Sequence, residues 1–248
     1  MTEVRLGDKR IPFIYQGDEL IHPAPIKDGL ILWYDFSAMA NSDVSKGVAK
    51  DLSGNGHDGT LQNFNYTDES GYVGDGLNFD GVDDYAEITT IESSDDTGSE
   101  TVEVVFNTTI QRRQIIVSKH HYNFDFAIEG SKFFAWYGVG GSYVGGYQQG
   151  MSDDTFANGE NHLITVVFER LKGKISLYVN GEYYFTIGPD IESSDLGYFD
   201  VSLYVGGRPR GGLEFPFVGD IYSTRIYNRP LTAEEIQHNY QLERERFL

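Results

Sequence analysis

From Gly29 onward the apolar positions recur at every second residue over short runs, and Gly, Asn and Asp separate the runs. Alternation with a period of two sends successive side chains to opposite faces of a strand. It is clearest in Ile175-Ser176-Leu177-Tyr178-Val179, where Ile175, Leu177 and Val179 share one face and Ser176 and Tyr178 the other. Asn180-Gly181 follows at once, a dipeptide that tolerates the positive φ angles of a tight hairpin. The same reading predicts strands at 30–35, 76–79, 85–88, 100–108, 114–118, 124–128, 132–137, 161–169, 174–179, 183–187, 202–206 and 219–227. Many short strands joined by Gly-rich turns predict an all-β fold, a sandwich or jelly roll.

Two segments depart from this pattern. Residues 3–22 carry short apolar pieces split by Gly7-Asp8 and Gly17-Asp18, which read as hairpin turns of a small three-stranded β-meander. A unit of that size buries too little apolar surface to stand alone, so it must lean on the main domain, another copy or a partner. Pro23-Ala24-Pro25 then makes a stiff connector, which divides the chain into an anchor at 1–25 and a main domain at 26–248. Near the C-terminus Thr232 and Glu235 have the spacing of a capping box, and Glu234 and Glu235 suit the positive end of a helix dipole. One helix is predicted there, with Ile236 and Tyr240, four apart, facing the sandwich.

Composition narrows the function. The 248 residues include no Cys, 19 Lys and Arg, and 38 Asp and Glu, a net charge of −19. Absence of Cys excludes a disulfide scaffold, a thiolate zinc site and a Cys nucleophile. The negative charge repels phosphate backbones and anionic membranes, so neither nucleic acid nor membrane is an expected partner. No run approaches 18 apolar residues, and residues 1–8 show no apolar stretch of secretory type.

Most catalytic signatures are missing. There is no G-x-S-x-G, no H-E-x-x-H and no Walker loop. A retaining glycosidase needs two carboxylates about 5–5.5 Å apart, hence two or four residues apart on a strand. The nearest case, Glu100 and Glu103, is spaced by three and lies on opposite faces. The six His residues read as loop or core residues. Gly81-Val82-Asp83-Asp84-Tyr85 reads as an acidic turn.

Two stretches hold candidate chemistry. In Asp51-Leu52-Ser53-Gly54-Asn55-Gly56-His57-Asp58-Gly59, side-chain oxygens alternate at 51, 53 and 55 before a Gly, like the first half of an EF-hand loop. The twelfth position is Gln62 rather than a bidentate Glu, so an EF-hand is not expected. What remains is a run of Asx-turns, or a Ca²⁺ site of another geometry completed by Asp35 and Asp220 near strand ends. The second stretch, 133–147, places Trp136, Tyr137, Tyr143 and Tyr147 around Gly138, Gly140, Gly141, Gly145 and Gly146. A mobile Gly loop of this kind suits stacking on the C–H faces of sugar rings. The alternative is that its aromatics, Trp136 first, simply face the core. Arg208, after Gly206-Gly207, is a further candidate for the rim of such a site.

In order along the chain stand Leu32-Trp33-Tyr34-Asp35-Phe36, Asp51-Leu52-Ser53-Gly54-Asn55-Gly56 and Gly76-Leu77-Asn78-Phe79-Asp80-Gly81-Val82-Asp83-Asp84-Tyr85. His162-Leu163-Ile164-Thr165-Val166, Leu177-Tyr178-Val179-Asn180-Gly181-Glu182 and Arg225-Ile226-Tyr227-Asn228-Arg229-Pro230-Leu231-Thr232 follow. This series resembles the LamG-like branch of the concanavalin A-like lectin/glucanase superfamily over roughly residues 29–240. The resemblance implies an all-β, two-sheet antiparallel jelly-roll sandwich (concanavalin A-like) of a class that is usually non-enzymatic and often binds glycan or protein, with a structural Ca²⁺ in many members. Carried over by position, the cation site would comprise Asp35, Asp51, Asn55 and Asp220, the last standing one position earlier than the family's usual acidic residue. The N-terminal run from Val4 to Pro23 resembles a leader of structural proteins of phages and prophages of Gram-positive bacteria. The combined expectation is a multicopy bacteriophage virion protein on the tail, baseplate or head exterior. Residues 1–25 would meet other virion proteins, and Trp136, Tyr137, Tyr143, Tyr147 and Arg208 would meet host cell-wall glycan. A ligand-free capsid or tail stabilising protein is the alternative, and a polysaccharide-degrading enzyme a more distant one.

Overall fold

The computed structural model describes residues 5–6, 9–10, 14–16, 19–22, 25–91, 99–119, 124–139, 142–147, 155–169, 172–187 and 201–244. The N-terminal segment holds β1 (Arg5–Leu6), β2 (Lys9–Arg10), β3 (Ile14–Gln16) and β4 (Glu19–His22). β1 pairs with β2 and β3 with β4 as two two-stranded ribbons, and among the described residues β2 and β3 do not pair as a three-stranded meander requires; Gly7-Asp8 and Gly17-Asp18 lie outside the described residues. Among the described residues neither ribbon pairs with another sheet.

All twelve strands expected from alternation are present, with ends moved by one to three residues where they differ. The first sheet holds eight strands in the spatial order β15 (Ser142–Tyr147), β14 (Lys132–Val139), β13 (Phe124–Glu129), β12 (Gln114–Lys119), β19 (Val201–Val205), β10 (Tyr85–Ile91), β7 (Gly59–Gln62) and β6 (Val48–Ala49). The second runs β18 (Glu182–Ile187), β17 (Lys174–Val179), β16 (His162–Glu169), β11 (Glu100–Asn107), β22 (Val218–Tyr227), β9 (Gly76–Asp80) and β8 (Gly71–Val73). The long β22 serves two partners on one edge: Val218–Ile221 pairs with β9, and the half from Ser223 onward pairs with β5 (Leu30–Asp35). Every pairing in both sheets is antiparallel.

The core lies between the sheets. Ile175 and Leu177 are buried there, as their alternation predicts, beside Val102, Val104, Phe106, Ile164, Val166 and Phe168 of the second sheet. The first sheet contributes Val117, Phe124, Phe126, Phe133, Leu203 and Val205. Phe124 and Phe168 meet across the sandwich with ring centroids 5.1 Å apart, nearly parallel. Asn180 and Gly181 adopt φ of 50° and 81°, the left-handed pair that a two-residue hairpin turn requires. The helix α1 (Ala233–Glu243) begins with the full capping box: Thr232 accepts from the Glu235 amide, and the Glu235 side chain accepts from the Thr232 amide. Ile236 is buried with Leu30, Trp33, Val167 and Tyr227, which seats α1 on the outer face of the second sheet.

Candidate functional site

The outer face of the first sheet carries a cluster of charged, polar and aromatic side chains. Core residues Val117, Phe126 and Ala135 point inward, so their chain neighbours Ser118, Asp125 and Phe134 take outward positions. After β19 the chain passes Gly206-Gly207 into a small hairpin of β20 (Arg208–Pro209) and β21 (Leu213–Glu214). Gly206 has φ of 93°, and a Cβ there would lie 2.3 Å from the Phe79 ring, so only Gly lets this hairpin leave β19 so close to the core.

The hairpin delivers Arg208 to the sheet. Its Nε and Nη2 donate to Glu214 Oε2 at 3.0 and 2.7 Å, and its Nη1 donates to Asp125 Oδ2. Asp125 also accepts a hydrogen bond from the Ser118 hydroxyl. Asp125 is wholly buried and Arg208 is 11% exposed. Burial pushes the Asp125 carboxyl up to about 6, against the opposing pull of Arg208 and Ser118.

Phe215, next after β21, completes the cluster. Its backbone is in the left-handed region at φ of 51°, costly for a bulky residue, and its carbonyl is held by the Ile115 amide at 2.8 Å. Two guanidinium groups approach the ring, with Cζ of Arg113 at 4.6 Å and Cζ of Arg208 at 5.9 Å from its centroid. Arg113 also covers Phe134 at 5.1 Å. Such cation–π contacts contribute about 0.5–1 kcal/mol each at exposed sites and more when desolvated. A buried carboxyl, an arginine between two carboxylates and cation-backed aromatic rings form a surface with fixed acceptors, fixed donors and flat apolar area.

Four of the expected glycan-binding residues share this face by register. Trp136 stands directly opposite Asp125, Tyr147 opposite Phe134, and Tyr143 opposite Gly138, two residues on from Trp136. Arg208 reaches the same row through Asp125. Tyr137 stands opposite Phe124 on the inward register, apart from the others. The expected Gly loop is largely a strand pair, β14 and β15, with residues 140 and 141 outside the described residues. Sequence reasoning missed Ser118, Asp125, Phe215, Arg113 and Glu214; the only local signal was the run of glycines at 206, 207, 211 and 212 that frames the hairpin.

The expected cation ligands are not assembled. Asp51 Oδ1 accepts from the amides of Trp33 and Ser53, and Oδ2 from the His57 amide and the Ser53 hydroxyl, at 2.8–3.1 Å. Asn55 turns its amide nitrogen toward the carbonyls of Leu30 and Ile31. Asp35 accepts from the Ser37 amide at 3.0 Å, and Asp220 from the Asn78 amide group at 2.8 Å. An Asp51 carboxylate already filled by four donors does not fit a metal ligand, and the Asp51–Gly59 loop is an Asx-turn clamp that ties β5 to the segment before β7. Among the described residues the one acidic group with ligand atoms within 4.8 Å of one another is Asp80, Asp83 and Asp84. It is the acidic turn read from the sequence: Asp84 accepts from the Asp80 amide and Asp80 from the Val82 amide.

The sequence profile of the concanavalin A-like lectin/glucanases superfamily, Laminin_G_3, matches residues 80–237, more than half of the chain. The chain belongs to this family. It carries a lectin-like, carbohydrate-binding type of fold. No curated protein sequence is matched. Among solved structures it is similar to the receptor-binding domain of botulinum neurotoxin C/D mosaic serotype, with a TM-score of 0.61 and 13% identity over 87% of this chain and 52% of that one. It is also similar to the binding domain of botulinum neurotoxin DC in complex with SialylT, at 0.60 and 12%, covering 87% and 52%. The serotype D ligand-binding domain in complex with N-acetylneuraminic acid gives 0.58 and 13%, covering 87% and 51%. The chain therefore spans about half the length of these chains, and at such identity the likeness is one of fold.

Proposed function

We propose that this chain is a non-enzymatic glycan-binding module of a bacteriophage virion, with its sugar site on the outer face of the first sheet around Arg208, Asp125 and Phe215. The observation that carries the reading is the convergence on one face of a buried hydrogen-bonded carboxyl, two arginines stacked on Phe215, and the register positions of Trp136, Tyr143 and Tyr147. Sugar sites need this combination of flat apolar rings and a few fixed polar groups. Fold neighbours solved in complex with SialylT and with N-acetylneuraminic acid support a sugar-binding role for this fold. Asp125 and Glu214 are both held by the Arg208 guanidinium between them, an arrangement for binding rather than for a water or a glycosyl intermediate. The two N-terminal ribbons, which pair with no other sheet among the described residues, support a role for residues 1–25 in attaching the module to other virion proteins. Many copies on one particle would raise the avidity of weak sugar contacts.

The test is adsorption of the purified full chain to intact cell walls, with Trp136→Ala and Tyr143→Ala as variants of unchanged melting temperature. Loss of adsorption in both supports the reading; undiminished adsorption in both overturns the placement of the site. Immunogold labelling of purified virions tests the location, and unlabelled particles overturn it. A second reading has one observation in its favour. Arg208 already spends Nε, Nη1 and Nη2 on Asp125 and Glu214, as a purely structural clamp would. In that case the domain is a ligand-free stabilising block, and the wild-type chain adsorbs to no cell wall.

A further inference from the structure

The outward row that holds Asp125 continues across the first sheet. Trp136 stands opposite Asp125, Asp125 opposite Ser118, Ser118 opposite Tyr204, and Tyr204 opposite Glu87. Four adjacent strands, β13, β12, β19 and β10, thus carry the chain of positions from Asp125 to Glu87 without a break in register. At the usual strand separation of about 4.8 Å the two carboxylates are three intervals, or about 14 Å, apart, more than one sugar ring can span.

A second aromatic platform stands at the far end. Tyr85 on β10 and Tyr204 on β19 are both partly exposed, with ring centroids 6.1 Å apart at 65°. Beside them Gln62 donates to Glu87 at 3.3 Å, which leaves the other Glu87 oxygen to accept from a ligand hydroxyl. Rings beside a carboxylate therefore recur here as around Asp125, with the Gln62 amide in the place that Arg208 takes there. The charge of the strip selects the ligand. Glu87, Asp125, Glu129 and Glu214 outnumber Arg113 and Arg208, within a chain of net charge −19. A polyanion is repelled, and a neutral chain rich in hydroxyls is matched by the surplus of acceptors.

We infer that Tyr85, Tyr204, Glu87 and Gln62 form a second sugar subsite on this face, and that the ligand is a neutral polysaccharide bound along its interior, crossing the strands, rather than a single terminal sugar. The inference rests on the glycan-binding reading above and adds the ligand's length and charge.

The experiment is calorimetric titration of the full chain with neutral glucan, mannan and N-acetylglucosamine oligomers, from monosaccharides to long oligomers, with polyglycerol phosphate as the anionic counterpart. The expected result is an affinity that rises at least tenfold from short to long oligomers of one neutral series and that polyglycerol phosphate does not compete away. Tyr204→Ala and Glu87→Ala, at partly exposed positions, should remove that gain while leaving the short oligomers as they were. Tyr204→Phe, which keeps the ring, should retain the gain. Trp136→Ala should weaken short and long oligomers alike. If short oligomers bind as tightly as long ones, or Tyr204→Ala and Glu87→Ala leave the length dependence intact, the second subsite is overturned and the first reading stands. If the chain binds polyglycerol phosphate in preference, the neutral ligand is overturned. If the wild-type chain binds no oligomer at any length, both readings fall together.

Discussion

Arg208 and Asp125, 83 residues apart in sequence, are joined by a guanidinium–carboxylate hydrogen bond on the outer face of the first sheet. The carboxylate is wholly buried, so removing its cation leaves a charge that water cannot reach. Arg208→Ala is expected to cost about 3–5 kcal/mol at neutral pH, the range for breaking one side of a buried ion pair. Arg208→Lys should recover only part of this, because one ammonium cannot hold Asp125 and the Glu214 carboxylate in the geometry of a planar fork. Urea unfolding of the two variants beside Arg208→Ala/Asp125→Asn measures it. The double variant should be more stable than Arg208→Ala alone.

The raised pKa of Asp125 gives a pH dependence with a definite sign. Folding lifts this carboxyl from the ordinary range near 3.8 to about 6, because burial outweighs Arg208 and Ser118. Between those values the native state binds more protons than the unfolded chain, so this group's contribution to stability declines as pH rises from about 4 to 6 and is flat above. Asp125→Asn removes that slope. The difference in unfolding free energy, wild type minus Asp125→Asn, should therefore fall across that window. A difference that rises there would show that the Arg208 pairing, not burial, dominates.

Asp51 is a hub of hydrogen bonds within the chain. Its four donors come from Trp33, Ser53 and His57, and Tyr34 adds a bond from its hydroxyl to the His57 carbonyl at 2.7 Å. Asp51→Ala leaves three buried or half-buried amides short of an acceptor, at about 1–3 kcal/mol for each that water cannot reach. The melting temperature should drop by the same amount in EDTA and in excess Ca²⁺. A drop confined to Ca²⁺ would restore Asp51 as a metal ligand.

These examples show which parts of the molecule could be read from the chain. β17, Lys174–Val179, was legible to the residue because one face is buried and the other is wet, and its hairpin dipeptide follows at once. The capping box of α1 was legible because all its partners lie within four residues. β15 was not, since Gly145 and Gly146 lack strand propensity and only pairing with β14 makes them a strand. Half of the candidate site was hidden for a different reason. Phe124-Asp125-Phe126 alternates as a strand with a solvated Asp would, and nothing local reveals that Arg208 will cover it. Phe215 adopts its left-handed backbone for tertiary reasons that no propensity records. Glu100 and Glu103 were correctly separated by face from their spacing alone. That each meets a buried cation, Lys119 at 2.5 Å and Arg225 at 2.9 Å, depends on strands 19 and 122 residues away.

The Glu103–Arg225 pair sits under α1, both side chains 1% exposed. Arg225 also donates to Glu243 of the helix at 2.7 Å, and Asn239 donates to Glu103 at 2.8 Å and to the Tyr227 hydroxyl at 2.9 Å. Burial opposes the charge of Arg225, but Glu243 and Glu103 outweigh it and hold its pKa above the ordinary range. Glu103→Leu alone should destabilise the domain by about 3–5 kcal/mol, since it breaks the pair on one side. Glu103→Leu/Arg225→Met/Glu243→Gln should recover much of that loss in chemical denaturation, because no member of the buried Glu103–Arg225–Glu243 triad then remains as a charge without its partner. A triple variant no better than the single one would mean that the ion triad is needed to position α1.

The same network ties Ile26 to α1. Asn239 Oδ1 accepts from the Ile26 amide at 3.0 Å, and Ile26 packs beside Trp33, Tyr227 and Ile236. The chain is thus pinned to α1 just after the Pro23-Ala24-Pro25 connector, and the ribbons before it share no sheet with the sandwich among the described residues. Deletion of residues 1–25 should leave the melting temperature within a few degrees of the full chain while abolishing incorporation into purified particles. Asn239→Leu should do the reverse, lowering stability by about 1–3 kcal/mol through the stranded Ile26 amide and Tyr227 hydroxyl without affecting attachment. Calorimetry together with particle incorporation separates the two effects. Collapse of the truncated chain would mean that the ribbons belong to the core of the domain rather than to its anchor.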